Sequence, residues 1–107
     1  MRVADAPARH RYEARVGDKL AGLSAYQMRD GVVRFTHTEV FDAYEGKGVG
    51  AALVRAALDD VRSRGLLVEP ACPFVAAFIA RHEDEYADLL SKGSAGGDRI
   101  VGDAELG

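Results

Sequence analysis

The sequence is poor in the residues that staple small folds together. It has one cysteine, no tryptophan and three prolines in 107 residues. A lone cysteine closes no internal disulfide, so packing must hold the fold, and a reducing, cytoplasmic setting is expected. Three widely separated histidines offer no structural-zinc or haem arrangement, and no metal site is expected. No apolar run approaches the roughly 18 residues of a membrane span, and the N-terminus lacks an apolar signal core. The expectation is a soluble protein with no membrane partner. Positive charge is also short: 14 Lys and Arg face 17 Asp and Glu, a net charge of −3. That speaks against a nucleic-acid partner, because non-specific nucleic-acid binding rests on clustered positive charge.

What is present reads as one small domain. Residues 1–8 show no period and are expected to form a flexible lead-in. Beyond His10, Tyr12, Ala14 and Val16 alternate with Arg11, Glu13 and Arg15, the pattern of a half-buried strand. Gly17-Asp18 offers a turn. A second strand is expected over Lys19–Arg29 and a third from Val32 to about Val40, joined by Asp30-Gly31, a strong hairpin signal. Three such strands make an antiparallel meander. The period then changes. Residues 41–50 read as a loop, and over residues 49–64 the apolar positions Val49, Leu53, Val54, Ala57, Leu58 and Val61 recur at helical spacing, with Arg55, Asp59, Asp60 and Arg62 facing away. Gly65 follows as a helix-ending glycine. Residues 66–69 form a short apolar strand stopped by Pro70, so strand, helix and strand imply a right-handed crossover and a parallel pair. Pro73 suits the first position of a helix and puts Cys72 at its N-cap. Residues 74–90 read as one broken helix or two short ones, and the glycine-rich stretch 91–107 as a mobile tail. The expected class is α/β (α+β): an antiparallel meander, a β-α-β crossover and a C-terminal helix or helices.

Between the third strand and the helix lies Glu45-Gly46-Lys47-Gly48-Val49-Gly50-Ala51. Glycines admit close backbone approach, and a helix start supplies free N–H groups and partial positive charge, so the loop suits a phosphate-bearing ligand. A glycine-rich turn without a ligand would show the same string. A P-loop would need Ser or Thr after Gly-Lys, and here Gly48 follows Lys47. A dinucleotide fingerprint would follow the first strand of a βαβ unit; Glu69 lies near the right distance, but three antiparallel strands come first.

Three further stretches keep company with this loop. They are Thr36-His37-Thr38-Glu39-Val40, then Pro70-Ala71-Cys72-Pro73-Phe74-Val75, then Arg81-His82 with Tyr86 nearby. In order and spacing the chain resembles, over about residues 9–90, the minimal stand-alone group of the GNAT superfamily of acetyl-CoA-dependent N-acetyltransferases. It departs at Glu45, where Gln or Arg is usual, and at His82-Glu83-Asp84-Glu85-Tyr86, where His-Pro-Glu-Tyr is frequent. The resemblance implies a small GNAT-like fold with acetyl-CoA as cosubstrate and a small amine or protein lysine as acceptor. It implies that the backbone amides of Gly46, Lys47, Gly48, Val49, Gly50 and Ala51 hold the CoA pyrophosphate. The backbone of Thr38, Glu39 and Val40 would pair with the pantetheine arm where the sheet splays, and the amide near Val40 would polarise the thioester. No helices separate the first two strands, where the resemblance would put a substrate-covering lid. The alternative is therefore a non-catalytic acyl-CoA-binding or interaction module, and a third reading is a plain phosphate- or nucleotide-binding module. The expected state is a monomer or weak dimer.

The reactive candidates are Cys72, His37 and Glu39. Cys72 is either a small core residue or, at a helix start that favours a thiolate, an acyl acceptor or a wall of the thioester pocket. His37 alternates onto the face of Val33 and Phe35, as a bonded core or edge histidine or as a general base. Glu39 alternates onto that face too, as a second base or a strand-end carboxylate. His10 and His82 read as structural or exposed, and Tyr86 as part of an apolar stripe with Leu89 and Leu90.

Overall fold

The computed structural model describes residues 1–91. At its centre is one five-stranded sheet in the order β1-β2-β3-β4-β5, with β1 Arg2–Ala6, β2 Arg11–Val16, β3 Lys19–Arg29, β4 Val32–Val40 and β5 Leu67–Pro70. The first four strands pair antiparallel, and β5 lies parallel to β4. The meander is present, with one strand more than expected. The flexible lead-in expected over residues 1–8 is instead β1, followed by a 3-10 turn at Pro7–Arg9. Its inward side carries an acid, which hides it from any apolar period. Asp5 accepts a hydrogen bond from the Tyr26 hydroxyl at 2.6 Å and meets Arg64 at 3.2 Å. Burial, with that bond to Asp5, pushes the Tyr26 hydroxyl up to about 12.

The β3–β4 hairpin closes through Asp30 and Gly31, both at positive φ (52° and 80°), the turn that matches sheet twist. Helix α1, Val49–Ser63, then lies across the sheet. Its buried side chains include Val49, Leu53, Val54, Ala57, Leu58 and Val61, the residues at helical spacing. They join Tyr12, Ala14, Tyr26, Val33 and Phe35 of the sheet and Val75, Phe78 and Ile79 of helix α2, Pro73–Arg81, in one core. Each fully buried aliphatic side chain contributes about 1.5–3 kcal/mol. Asp60, expected to face away, turns toward the sheet and accepts the Tyr12 hydroxyl at 2.7 Å.

Beyond α2 come helix α3, Glu83–Tyr86, and a 3-10 turn at Ala87–Leu89, so the C-terminal segment is two short helices. Ser91 is buried and its amide donates to the Val68 carbonyl at 2.9 Å. The remainder of the tail expected over residues 91–107 lies outside the described residues.

Candidate functional site

Two devices open one edge of β4. The first is a bulge. The register passes from Tyr26 opposite Phe35 to Ala25 opposite His37, so Thr36 is an extra residue in β4. A one-residue insertion exchanges the faces of everything beyond it. Val33 and Phe35 are buried, Thr38 and Val40 turn inward, and His37 and Glu39 stand exposed. The placement of His37 and Glu39 on the face of Val33 and Phe35 is thereby corrected.

The second device is the shortness of β5, which pairs with β4 only over residues 32–35. Pro70 ends that strand, and the chain turns away with the Cys72 amide on the Phe35 carbonyl at 2.8 Å. The Phe41 amide donates to the Ala21 carbonyl of β3 at 2.9 Å. By antiparallel alternation the amides and carbonyls of Thr38 and Val40 then face the other way, toward the side β5 has left. This stretch of β4 is an open strand edge.

The start of α1 lies beside it. Gly46 and Gly48 hold φ values of 76° and 77°, and a Cβ built on either meets nothing within 4 Å. Gly48 is the N-cap; no side chain caps the helix and no acid sits in its first turn. The amides of residues 46–51 have no acceptor among the described residues, and the Ala52 amide is the first to bond, to the Gly48 carbonyl at 3.1 Å. Free N–H groups at an uncompensated helix start form an anion site. Lys47 and Glu45 are both exposed on the loop.

Three elements meet at Gly50. A Cβ there would lie 2.7 Å from the Phe74 ring of α2 and 3.3 Å from Cγ2 of Val40. Phe74 is 43% exposed and covers the junction. At Gly22, a Cβ would lie 2.8 Å from the Glu39 carbonyl oxygen, so β3 must be bare for β4 to approach. The sequence reading missed Gly22 and gave Phe74, quoted within its motif, no role of its own. The available signals were a glycine inside a strand pattern and a large apolar residue just after a helix start.

Cys72 is the N-cap of α2, as expected, and only 3% exposed. Its Sγ donates to Thr38 Oγ1 at 3.4 Å, and Thr38 Oγ1 lies 3.0 Å from Oγ of the fully buried Ser24. A thiol and two hydroxyls thus form a chain from the start of α2 into the sheet. Ser24 was missed as well; its signal was a lone hydroxyl in an apolar strand. His37 Nε2 and Glu39 Oε1 lie 3.3 Å apart on the opposite side of β4 from this chain. The structure therefore gathers Thr38, Val40, Cys72 and the loop around one strand edge, and sets His37 and Glu39 behind it.

His82 and Tyr86 serve packing. His82 stacks on Phe78 with ring centroids 4.2 Å apart, and its Nδ1 lies 2.8 Å from the Phe78 carbonyl. Tyr86 is buried, and its hydroxyl donates to Asp59 at 2.7 Å; burial, with that bond, pushes it up to about 12. His10 is exposed at φ 55°.

Comparison with known proteins agrees with this geometry. Protein NATD1 of Bos taurus is 40% identical over 48 residues, which is 45% of this chain and 42% of NATD1. The ribosomal-protein-S18-alanine N-acetyltransferase of Escherichia coli superposes with a TM-score of 0.54 at 23% identity, over 70% of this chain and 50% of that one. A GCN5-like protein of Staphylococcus aureus gives 0.60 at 23% identity, over 84% and 87%. A Bacillus subtilis acetyltransferase solved in complex with CoA gives 0.51 at 22% identity, over 66% and 51%. The chain thus spans half or less of NATD1 and of the Escherichia coli enzyme, and the structural likeness is one of fold. The model of the GCN5-related N-acetyl-transferase family matches residues 11–89, from β2 through the last 3-10 turn. The chain belongs to the GCN5-related N-acetyl-transferase family.

Proposed function

We propose that the protein transfers the acetyl group of acetyl-CoA to an amine. The observation that carries this reading is the adjacency of an uncapped helix start and an open strand edge. The unused amides of Gly46, Lys47, Gly48, Val49, Gly50 and Ala51 would bind the pyrophosphate, and the outward backbone groups of Thr38 and Val40 would pair with the pantetheine arm, while Glu39 between them turns its backbone to β3 and drops out of that pairing. Acetyl-CoA bound there supplies an activated acyl thioester. The Val40 amide would donate to the carbonyl oxygen as negative charge develops on it. The acceptor nitrogen forms the new C–N bond as the C–S bond breaks, and the thiolate released takes up a proton. His37, beside Glu39, would accept the proton the amine gives up. Burial of Cys72 and its bond to Thr38 favour direct transfer, with the thiol lining the cleft. We assign the acceptor to the amines, small or a protein lysine, and the protein to the cytoplasm as a monomer or weak dimer.

Thermal melts and calorimetry with acetyl-CoA, CoA and ATP test the reading. Acetyl-CoA at 100 times its Kd should stabilise the fold by about 2.7 kcal/mol, since it binds only the native state. ATP, lacking pantetheine, should do less. Gly48→Val forces a branched side chain to positive φ, at a cost of about 1–2 kcal/mol, and fills the approach to the loop. It should abolish the shift. No shift of the parent protein at millimolar acetyl-CoA overturns the reading, and a shift without acetylation of any amine leaves a non-catalytic acyl-CoA binder.

A further inference from the structure

The sheet face away from the helices carries a charge arrangement that the cofactor cleft does not use. Glu13 of β2 lies on that face, opposite Ala4 and Leu23, yet it is only 7% exposed. Arginines cover it. Arg11 Nε donates to it at 2.8 Å and Arg15 Nη2 at 3.1 Å, and Arg9 Nη1 lies at 3.6 Å. Burial alone would raise the Glu13 carboxyl, but the bonds from Arg11 and Arg15 outweigh it and hold the group below the usual carboxylate range. Three guanidinium groups against one carboxylate give the cluster a formal charge of +2 (3 − 1), and Arg15 spends its Nη1 on the Asp18 carbonyl at 3.4 Å. Arg11 spends only its Nε, so neither of its Nη nitrogens has a partner among the described residues. A buried carboxylate that orients such forks prepares them for a second anion.

The sheet register relates this cluster to β4. Arg11, Ala25 and His37 form one cross-strand row, and Glu13, Leu23 and Glu39 the next. Strands lie about 4.8 Å apart, so Arg11 and His37 stand about 10 Å apart across the half-buried Ala25 and Leu23. The face is bipolar: a carboxylate and an imidazole on β4, surplus positive charge on β2. Building on the acetyl-transfer reading, we propose that the acceptor is a peptide whose lysine lies about 10 Å from a carboxylate side chain, the amine meeting His37 and Glu39 and the carboxylate meeting Arg11 and Arg15. That separation exceeds the one within a single amino acid and suits an extended chain with the lysine and the acid two residues apart, where both side chains share one face about 6.7 Å apart at Cα and their reach supplies the rest. The Ala25–Leu23 floor, with no side chain larger than leucine, admits such a chain lying flat.

The probes are the terminally blocked peptides Lys-Ala-Asp and Lys-Ala-Asn, offered to the full chain. Calorimetry without acetyl-CoA should show the acidic peptide binding about tenfold more tightly, a margin that charge-assisted bonds supply. With acetyl-CoA the same margin should appear in KM, with kcat similar, and it should shrink between about 50 and 500 mM salt. Arg11→Gln should cut the ratio to about threefold or less, Arg15 supplying the remainder, and Arg11→Lys, keeping the charge without the fork, should lie between. If Arg11→Gln unfolds because Glu13 is left buried and underpaired, the triple variant Arg11→Gln/Arg15→Gln/Glu13→Gln removes both contacting arginines with the charge they cover and takes its place. Equal binding of the two peptides overturns the proposal, as does an undiminished preference in the folded triple variant. Turnover of both peptides alike sinks the acidic-acceptor proposal and keeps the acetyl-transfer reading. Preferential binding of the acidic peptide with no acetylation of any amine sinks the acetyl-transfer reading, and the acceptor role with it, and leaves an anion site.

Discussion

At Cys72 two effects compete. Its place at the start of α2 sets the thiol beside the cleft, and burial denies a reagent its approach. At 3% exposure, with Sγ held on Thr38, access decides. Alkylation in the folded protein should then be slow and tied to local opening, and acetyl-CoA should slow it further. Cys72→Ser replaces the thiol with a hydroxyl on a shorter bond, farther from Thr38 than the 3.4 Å of Sγ, so the fold should lose about 1–3 kcal/mol. Direct transfer predicts that this variant keeps activity within about tenfold, since it needs no nucleophile from the protein. It also predicts no acetylated cysteine in the parent protein by intact mass. Near-complete loss of activity together with such an adduct would establish the acyl-enzyme route.

Among the elements, α1 and the β3–β4 hairpin were legible in the sequence because their signals are local. A period of 3.6 shows in any 15-residue window, and Asp30-Gly31 carries its own turn geometry. β1 was not legible, because its inward Asp5 makes sense only once Tyr26 and Arg64 surround it. Nor was the bulge, because Thr36 becomes an extra residue only when β4 pairs with Ala25 across the hairpin. The glycine loop could be named from the string, whereas the open edge of β4 depends on where β5 stops. That edge has its own test. The Val40 amide faces away from β3, so Val40→Pro costs the β3 ladder no bond and the fold about 1 kcal/mol of lost packing against the start of α1. It should weaken acetyl-CoA about tenfold or more. If the same amide stabilises the oxyanion, kcat should fall by a further factor on the order of 100. Unchanged affinity and rate would mean that β4 pairs with nothing there.

For the whole molecule, the decisive asymmetry is that α1 and α2 share one core on one side of the sheet. On the other side the buried group is a charge, Glu13, whose cover is arginine. Its carboxyl is held below the ordinary range despite burial, so the stability it contributes follows a fixed direction with pH. Because the folded value is the lower one, that contribution is complete above the unfolded carboxylate value of about 4.3 and is lost as pH falls through the folded value. Glu13→Gln keeps the shape and removes the titration. At pH 7 the variant should be less stable by about 1–3 kcal/mol, the loss of charge-assisted bonds with the arginines left facing one another. Lowering the pH destabilises both proteins through their other carboxylates, so the informative quantity is the difference between them. Urea unfolding followed from pH 7 to about pH 2 should show that difference constant above about 4.3 and narrowing below it, as the parent protein binds the proton the variant cannot. A difference that stays constant to the lowest pH would mean that the arginines stabilise the fold by packing over Glu13 and not by pairing with its charge.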